Sequence, residues 1–105
     1  MAEKSRWQIH MDLARARAQA DKLDEAAKSI RTECNRFKSC RSDVRQSWEG
    51  DNATRFISKM GIVEEDLEKI AQQLQKTAHV IRKNAKNIYE AEMEAKRIAE
   101  TRSHS

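Results

Sequence analysis

Proline is absent from the 105 residues and glycine occurs only twice. Tight hairpins and bulges depend on those residues, so a strand-rich fold has almost no punctuation to build from. Aromatic residues make up 5% of the chain and hydrophobic residues 38%, against 36% charged. That balance excludes a thick core and suits long amphipathic helices, each burying one stripe. No stretch approaches the ~18 apolar residues of a membrane span, and Met1-Ala2-Glu3-Lys4 leads into no signal-peptide core. Any export is therefore expected to bypass the general secretory route. Cys34 and Cys40 fall on one expected helix with Cα atoms about 9 Å apart, from ~1.5 Å rise per residue, outside disulfide reach. With no second pair, neither a disulfide scaffold nor a zinc site is supported, and reduced cysteines fit folding in the cytoplasm.

Chemical machinery is missing as well. His10, His79 and His104 share no metal spacing with one another or with the cysteines. Two glycines cannot form a phosphate-cradling loop, and carboxylates on a thin bundle have no pocket to act in. No catalytic residue, metal or cofactor is expected, and the chain reads as a non-enzyme.

What is present is helix: Ala, Glu, Lys, Arg, Gln, Ile and Leu dominate the rest. Ser5-Arg6-Trp7-Gln8 has the form of a capping box. From there Ile9, Leu13, Ala16, Ala20, Leu23, Ala27, Ile30, Cys34, Phe37, Arg41, Val44 and Trp48 follow alternating steps of four and three, with Arg41 as the one polar break. Such a sustained 3.5-residue repeat marks a coiled-coil seam. The strongest turn signal follows at Trp48-Glu49-Gly50-Asp51-Asn52, where glycine closes one helix and Asp or Asn caps the next. Beyond it Ala53, Phe56, Met60, Val63, Leu67, Ile70, Leu74, Thr77, Ile81, Asn84, Ile88, Ala91, Ala95 and Ile98 form a second seam, in which Thr77 and Asn84 are polar register markers.

The expectation is an all-α fold, an antiparallel two-helix hairpin with heptad seams, in a single domain over 1–105. Helix one covers about 5–48, the turn about 49–52, helix two about 53–98, and a loose start and a frayed tail at 99–105 complete it. Folding back at Gly50 sets Phe37 beside Val63 and Ile30 beside Ile70. Gly61 costs about 1 kcal/mol against alanine and permits close approach or a bend. A lone hairpin is thin, and small or apolar residues off the main seam offer a second stripe: Ile57, Ala71, Ala78 and Ala85 on helix two, with Ala14 and Ala18 on helix one. Two hairpins packed on these residues would dimerise into a four-helix bundle. Alanines that simply favour helix on a solvated face are the alternative.

Net charge is +4, and its excess lies before the turn, where eleven Lys/Arg face seven Asp/Glu. Arg31, Arg36, Lys38, Arg41 and Arg45 make helix one basic near the turn, which raises a nucleic-acid-binding hairpin as a rival from another class. No aromatic residues interleave with them.

A chain of about a hundred residues, folded as two long helices with Trp48-Glu49-Gly50 at the midpoint and Phe56 following, resembles the WXG family of ESAT-like (early secreted antigen) proteins. These are exported by bacterial type VII, or ESX, systems. The resemblance implies a protein made in the bacterial cytoplasm and exported folded, as an antiparallel dimer of hairpins, to the outside or the cell surface. It implies a composite signal, read by the secretion ATPase, of the Trp-X-Gly turn and a C-terminal Tyr followed four positions later by an acid. Here Tyr89 is suitably placed, but the fourth position is Met93; Glu92 and Glu94 flank it. Either one of these supplies the acid, or the chain travels with, or escorts, a partner that has a full signal. A homodimer leads, with a heterodimer or chaperone role for a larger toxin as the alternative. For Trp48 and Tyr89 the structural alternative is a plug at the end of the core and a half-buried flank residue.

Overall fold

The computed structural model describes residues 4–103; the first three residues of the expected loose start, and His104 and Ser105 of the expected tail, lie outside the described residues. Two helices account for nearly all of it: α1 (Arg6–Ser47) and α2 (Asp51–Ser103), joined as an antiparallel hairpin without strands among the described residues. α1 opens on the expected capping box: the Gln8 amide donates to Ser5 Oγ (3.1 Å) and the Ser5 amide to Gln8 Oε1 (2.9 Å). α2 begins at Asp51 and continues through Ser103, where a frayed end was expected. Thr101 and Ser103 return hydroxyl hydrogen bonds to Arg97 and Ala99 carbonyls in that last stretch, giving its polar side chains helical partners.

The described residues form two compact units. The first joins residues 4–22 to 77–103, and the second, residues 23–76, contains the turn. In the turn unit the buried residues are Ala27 and Cys34 from α1 and Ala53, Met60, Glu64 and Ala71 from α2. In the unit of the two chain ends they are Ile9, Ala20, Ala78 and Ala85. Leu13, Leu23, Ile30, Phe37 and Val44 of the α1 seam are half-buried around them, so the helix-one stripe is where its periodicity puts it.

The α2 stripe is so only in part: Ala53 and Met60 of the expected seam are buried, but not all of their companions. Val63, Ile70 and Ile88, expected inside, are 38%, 46% and 55% exposed, whereas Ala71 and Ala78 are completely buried and Ala85 nearly so. The inward row is therefore Ile57, Glu64, Ala71, Ala78 and Ala85, one heptad column over from the expected one. Ala71, Ala78 and Ala85 leave little of the partner surface expected of them, because their area is already covered within the hairpin, whereas Ile57 is only half-buried. The reason lies in size. The deepest positions of α1 are Ala20, Ala27 and Cys34, and small side chains opposite small ones let two backbones approach closely at interior packing density. Val63 or Ile70 in that row would hold the helices apart. Leu67, Leu74 and Ile81, which belong to both readings, are half-buried at the flank.

The polar break at Arg41 meets its answer in this inward row. Glu64, with a side chain only 7% exposed, takes Arg41 Nη1 on Oε2 at 3.0 Å. Cys34 Sγ lies 3.6 Å from the Glu64 carbonyl oxygen as a weak donor. Gly61 is one turn from Glu64, and a Cβ there would stand 3.6 Å from Arg41 Nη1, an ordinary contact that leaves room for a methyl group beside the guanidinium. Arg31 donates from Nε and Nη2 to Glu68 Oε1 one turn further on, at 3.2 and 3.1 Å. A polar pair in an otherwise apolar seam sets register, because sliding by a heptad strands both charges.

Candidate functional site

The turn unit ends α1 at Ser47 and leaves Trp48-Glu49-Gly50 as the connection. Trp48 still donates its amide to the Val44 carbonyl at 2.8 Å, so its backbone continues the last turn of α1. Gly50 then takes φ +101°, a left-handed conformation that costs glycine little and L-residues more. Its carbonyl accepts the Thr54 amide and the Thr54 hydroxyl, both at 3.2 Å, so Gly50 itself is the residue from which α2 starts. Asp51, expected as a cap, is the first helical residue, where its charge complements the helix N-terminus. The Trp48 ring lies tilted against Phe56, with centroids 6.1 Å apart, and keeps 56% of its surface in solvent.

Tyr89, Glu92 and Glu94 belong to the other unit, so the structure groups the C-terminal candidates with the start of α1 rather than with the turn. Tyr89 is half-buried, its ring 5.2 Å from that of His10. Glu92 accepts Lys4 Nζ at 3.1 Å, and the same ammonium reaches Asp12 Oδ2 at 3.0 Å. Hydrogen bonds first to Asp12 and then to Glu92 hold the Lys4 pKa above its ordinary value. Glu94 faces elsewhere: Arg97 donates Nε to its Oε2 at 3.0 Å and Nη2 to its Oε1 at 2.6 Å. That fork holds the Glu94 carboxyl below the ordinary range. Both acids thus carry a local cation. Beside Tyr89 a groove of about 250 Å³ is lined by Ile9, Leu13, Ala16, Ala85 and Ile88, with Glu92 among its polar neighbours.

Of the residues expected at a partner surface, Ala14 and Ala18 are exposed, Ile57 is half-buried, and the three alanines of α2 are interior. The large apolar side chains exposed are instead Trp48, Ile62, Val63 and Ile70 in the turn unit and Trp7, Val80, Ile88 and Ile98 in the other. The sequence pattern could have located Glu64, which falls seven residues from both Ile57 and Ala71. It had no signal for Lys4 or His10, which meet their partners across the hairpin.

Among the described residues no group of His, Cys, Asp and Glu is placed to hold a metal ion. Cys34 is buried and Cys40 exposed, and neither is in a disulfide. Among the described residues no helix is long and apolar enough to cross a membrane. The turn unit thus carries an exposed indole beside a left-handed glycine, and the other unit a half-buried tyrosine near two ion-paired acids. A family model, described as proteins of 100 residues with WXG, matches residues 8–93. No individual curated protein and no solved structure matches the chain.

Proposed function

From the premise that this chain belongs to the WXG100 family and is a small type VII secretion-associated protein, we propose that it is exported as a folded helical dimer. Recognition runs through the Trp48-Glu49-Gly50 turn and a C-terminal segment around Tyr89, read by the secretion ATPase, with no catalytic step. The observation that carries this is Trp48. A large ring that is more than half exposed, beside left-handed Gly50 whose carbonyl accepts both Thr54 bonds, supports a role in contact over one in core filling. Exposed Val63 and Ile70 in one unit and Ile88 and Ile98 in the other give each unit an apolar face that a second hairpin would cover.

One observation favours an escort role alongside this. Glu92 is engaged by Lys4 and Glu94 by Arg97, so neither acid is offered freely beside Tyr89. A heterodimer whose partner supplies an unencumbered C-terminal signal fits that arrangement. Nucleic-acid binding is weakened as a rival, because Arg31, Arg36 and Arg41 are spent on Glu68, Glu33 and Glu64.

The test is Trp48→Ala. Less than half of the ring is covered, so at about 25 cal/mol per Å² the loss of stability is roughly 1–2 kcal/mol, allowing for a partly collapsed unfolded state. Export, measured as the ratio of secreted to cytoplasmic protein, is expected to fall at least about tenfold while melting shows the protein still folded. Export that falls only in step with the folded fraction would reduce Trp48 to a plug.

A further inference from the structure

The unit of the chain ends has a second surface feature that recognition of the turn does not use. A groove of about 440 Å³ is lined by Arg17 of α1 and by His79, Arg82, Lys83 and Lys86 of α2, with Asp21 as its single acid. Arg82 is held there, donating Nη2 to Asp21 Oδ1 at 2.7 Å. Arg17, His79, Lys83 and Lys86 enter no hydrogen bond or ion pair among the described residues. Near the turn, by contrast, Arg31, Arg36 and Arg41 are each paired with an acid within the hairpin. Several uncompensated cations in one concave place raise each other's electrostatic cost, and an anionic occupant relieves it.

We propose that this groove docks an acidic polypeptide segment. Its lysine and arginine side chains reach solvent, with Arg82 tied to Asp21, and no buried polar group lines it, so a small anion would find little fixed geometry to orient it. The only ring in the lining is an imidazole, which leaves nucleic-acid bases no stacking platform. From His79 to Lys86 the groove extends about 10 Å along α2, at ~1.5 Å per residue. That span matches carboxylates spaced over two turns of a helix or three residues of an extended chain. None of the groove's lining residues belongs to the turn, so the proposal stands whether or not the turn is an export signal.

The experiment uses the full chain and a fluorescein-labelled octaglutamate peptide, read by anisotropy at about 20 mM and about 300 mM salt. Binding is expected at low salt and is lost at high salt. The double variant Lys83→Gln/Lys86→Gln is expected to weaken it at least about tenfold, against less than about twofold for Lys38→Gln/Lys59→Gln, which removes equal charge from the turn unit. Circular dichroism of both variants checks that helicity is retained. Three results overturn the proposal: no peptide binding at low salt, equal weakening by the two double variants, or tighter binding of a single-stranded oligonucleotide of the same charge.

Discussion

Replacing Arg41 with methionine removes the ion-pair partner of a carboxylate whose side chain is 7% exposed and whose Oε1 has no hydrogen bond among the described residues. Breaking a fully buried pair in this way costs about 3–5 kcal/mol, because the remaining charge is left without compensation. Arg41 itself is 32% exposed, so water already shares in its solvation and roughly 2–3 kcal/mol is the better figure. For a domain of this size that lowers the Tm by about 10–20 °C. The converse change, Glu64→Leu, leaves a guanidinium that can swing into solvent and costs under about 1 kcal/mol. The double variant Arg41→Met/Glu64→Leu replaces the pair with apolar contacts and is expected to be neutral or stabilising. Thermal melts followed by circular dichroism, at one protein concentration so that any association is held constant, measure all three. The order decides the matter: a Glu64→Leu loss equal to or larger than that of Arg41→Met would show that desolvation of Glu64 is not what the pair offsets.

The two glycines separate strain from space. Gly50→Ala forces a side chain into φ +101° with nothing near its Cβ, so a loss of about 1–2 kcal/mol is expected from conformation alone, whereas Gly61→Ala meets only Arg41 Nη1 at 3.6 Å and should gain up to about 1 kcal/mol. Denaturant midpoints give both signs. Ala71→Leu should overpack the inward row of α2 and cost about 1–3 kcal/mol, while Ile70→Ser, one position away, should change the melt by under about 0.5 kcal/mol in dilute solution; equal effects would return Ile70 to the seam. Lys4 has its pKa raised, so its contribution is complete below the ordinary lysine value of 10.5 and is lost as pH climbs through the higher folded value. Titration of the Lys4 side chain by NMR should show the shift shrinking in Asp12→Asn more than in Glu92→Gln.

Local features of the chain carry over from sequence to structure with little change. The Ser5–Gln8 box, the break at Gly50 and the α1 stripe depend on neighbours within a few residues, and each forms where the residue pattern puts it. Trp48 and Gly50 are legible for the same reason. Tyr89 is legible as a position, but its surroundings are not: Lys4, Asp12 and His10 come to it across the hairpin, more than seventy residues away along the chain.

The sequence by itself determined that this protein is two helices, where they turn, and which face of α1 is turned inward. Tertiary structure alone decided which face of α2 meets it. Three adjacent heptad columns of α2 are apolar or small, so periodicity admits more than one inward row, and hydrophobicity favours the wrong one by preferring Val63 and Ile70 to Ala71. What selects is the partner. Opposite Ala20, Ala27 and Cys34, the closest helix approach belongs to the column of smallest side chains, and only that rotation brings Glu64 under Arg41. The larger aliphatics are left outside by the same choice, as is the apolar face that a second hairpin would have to cover.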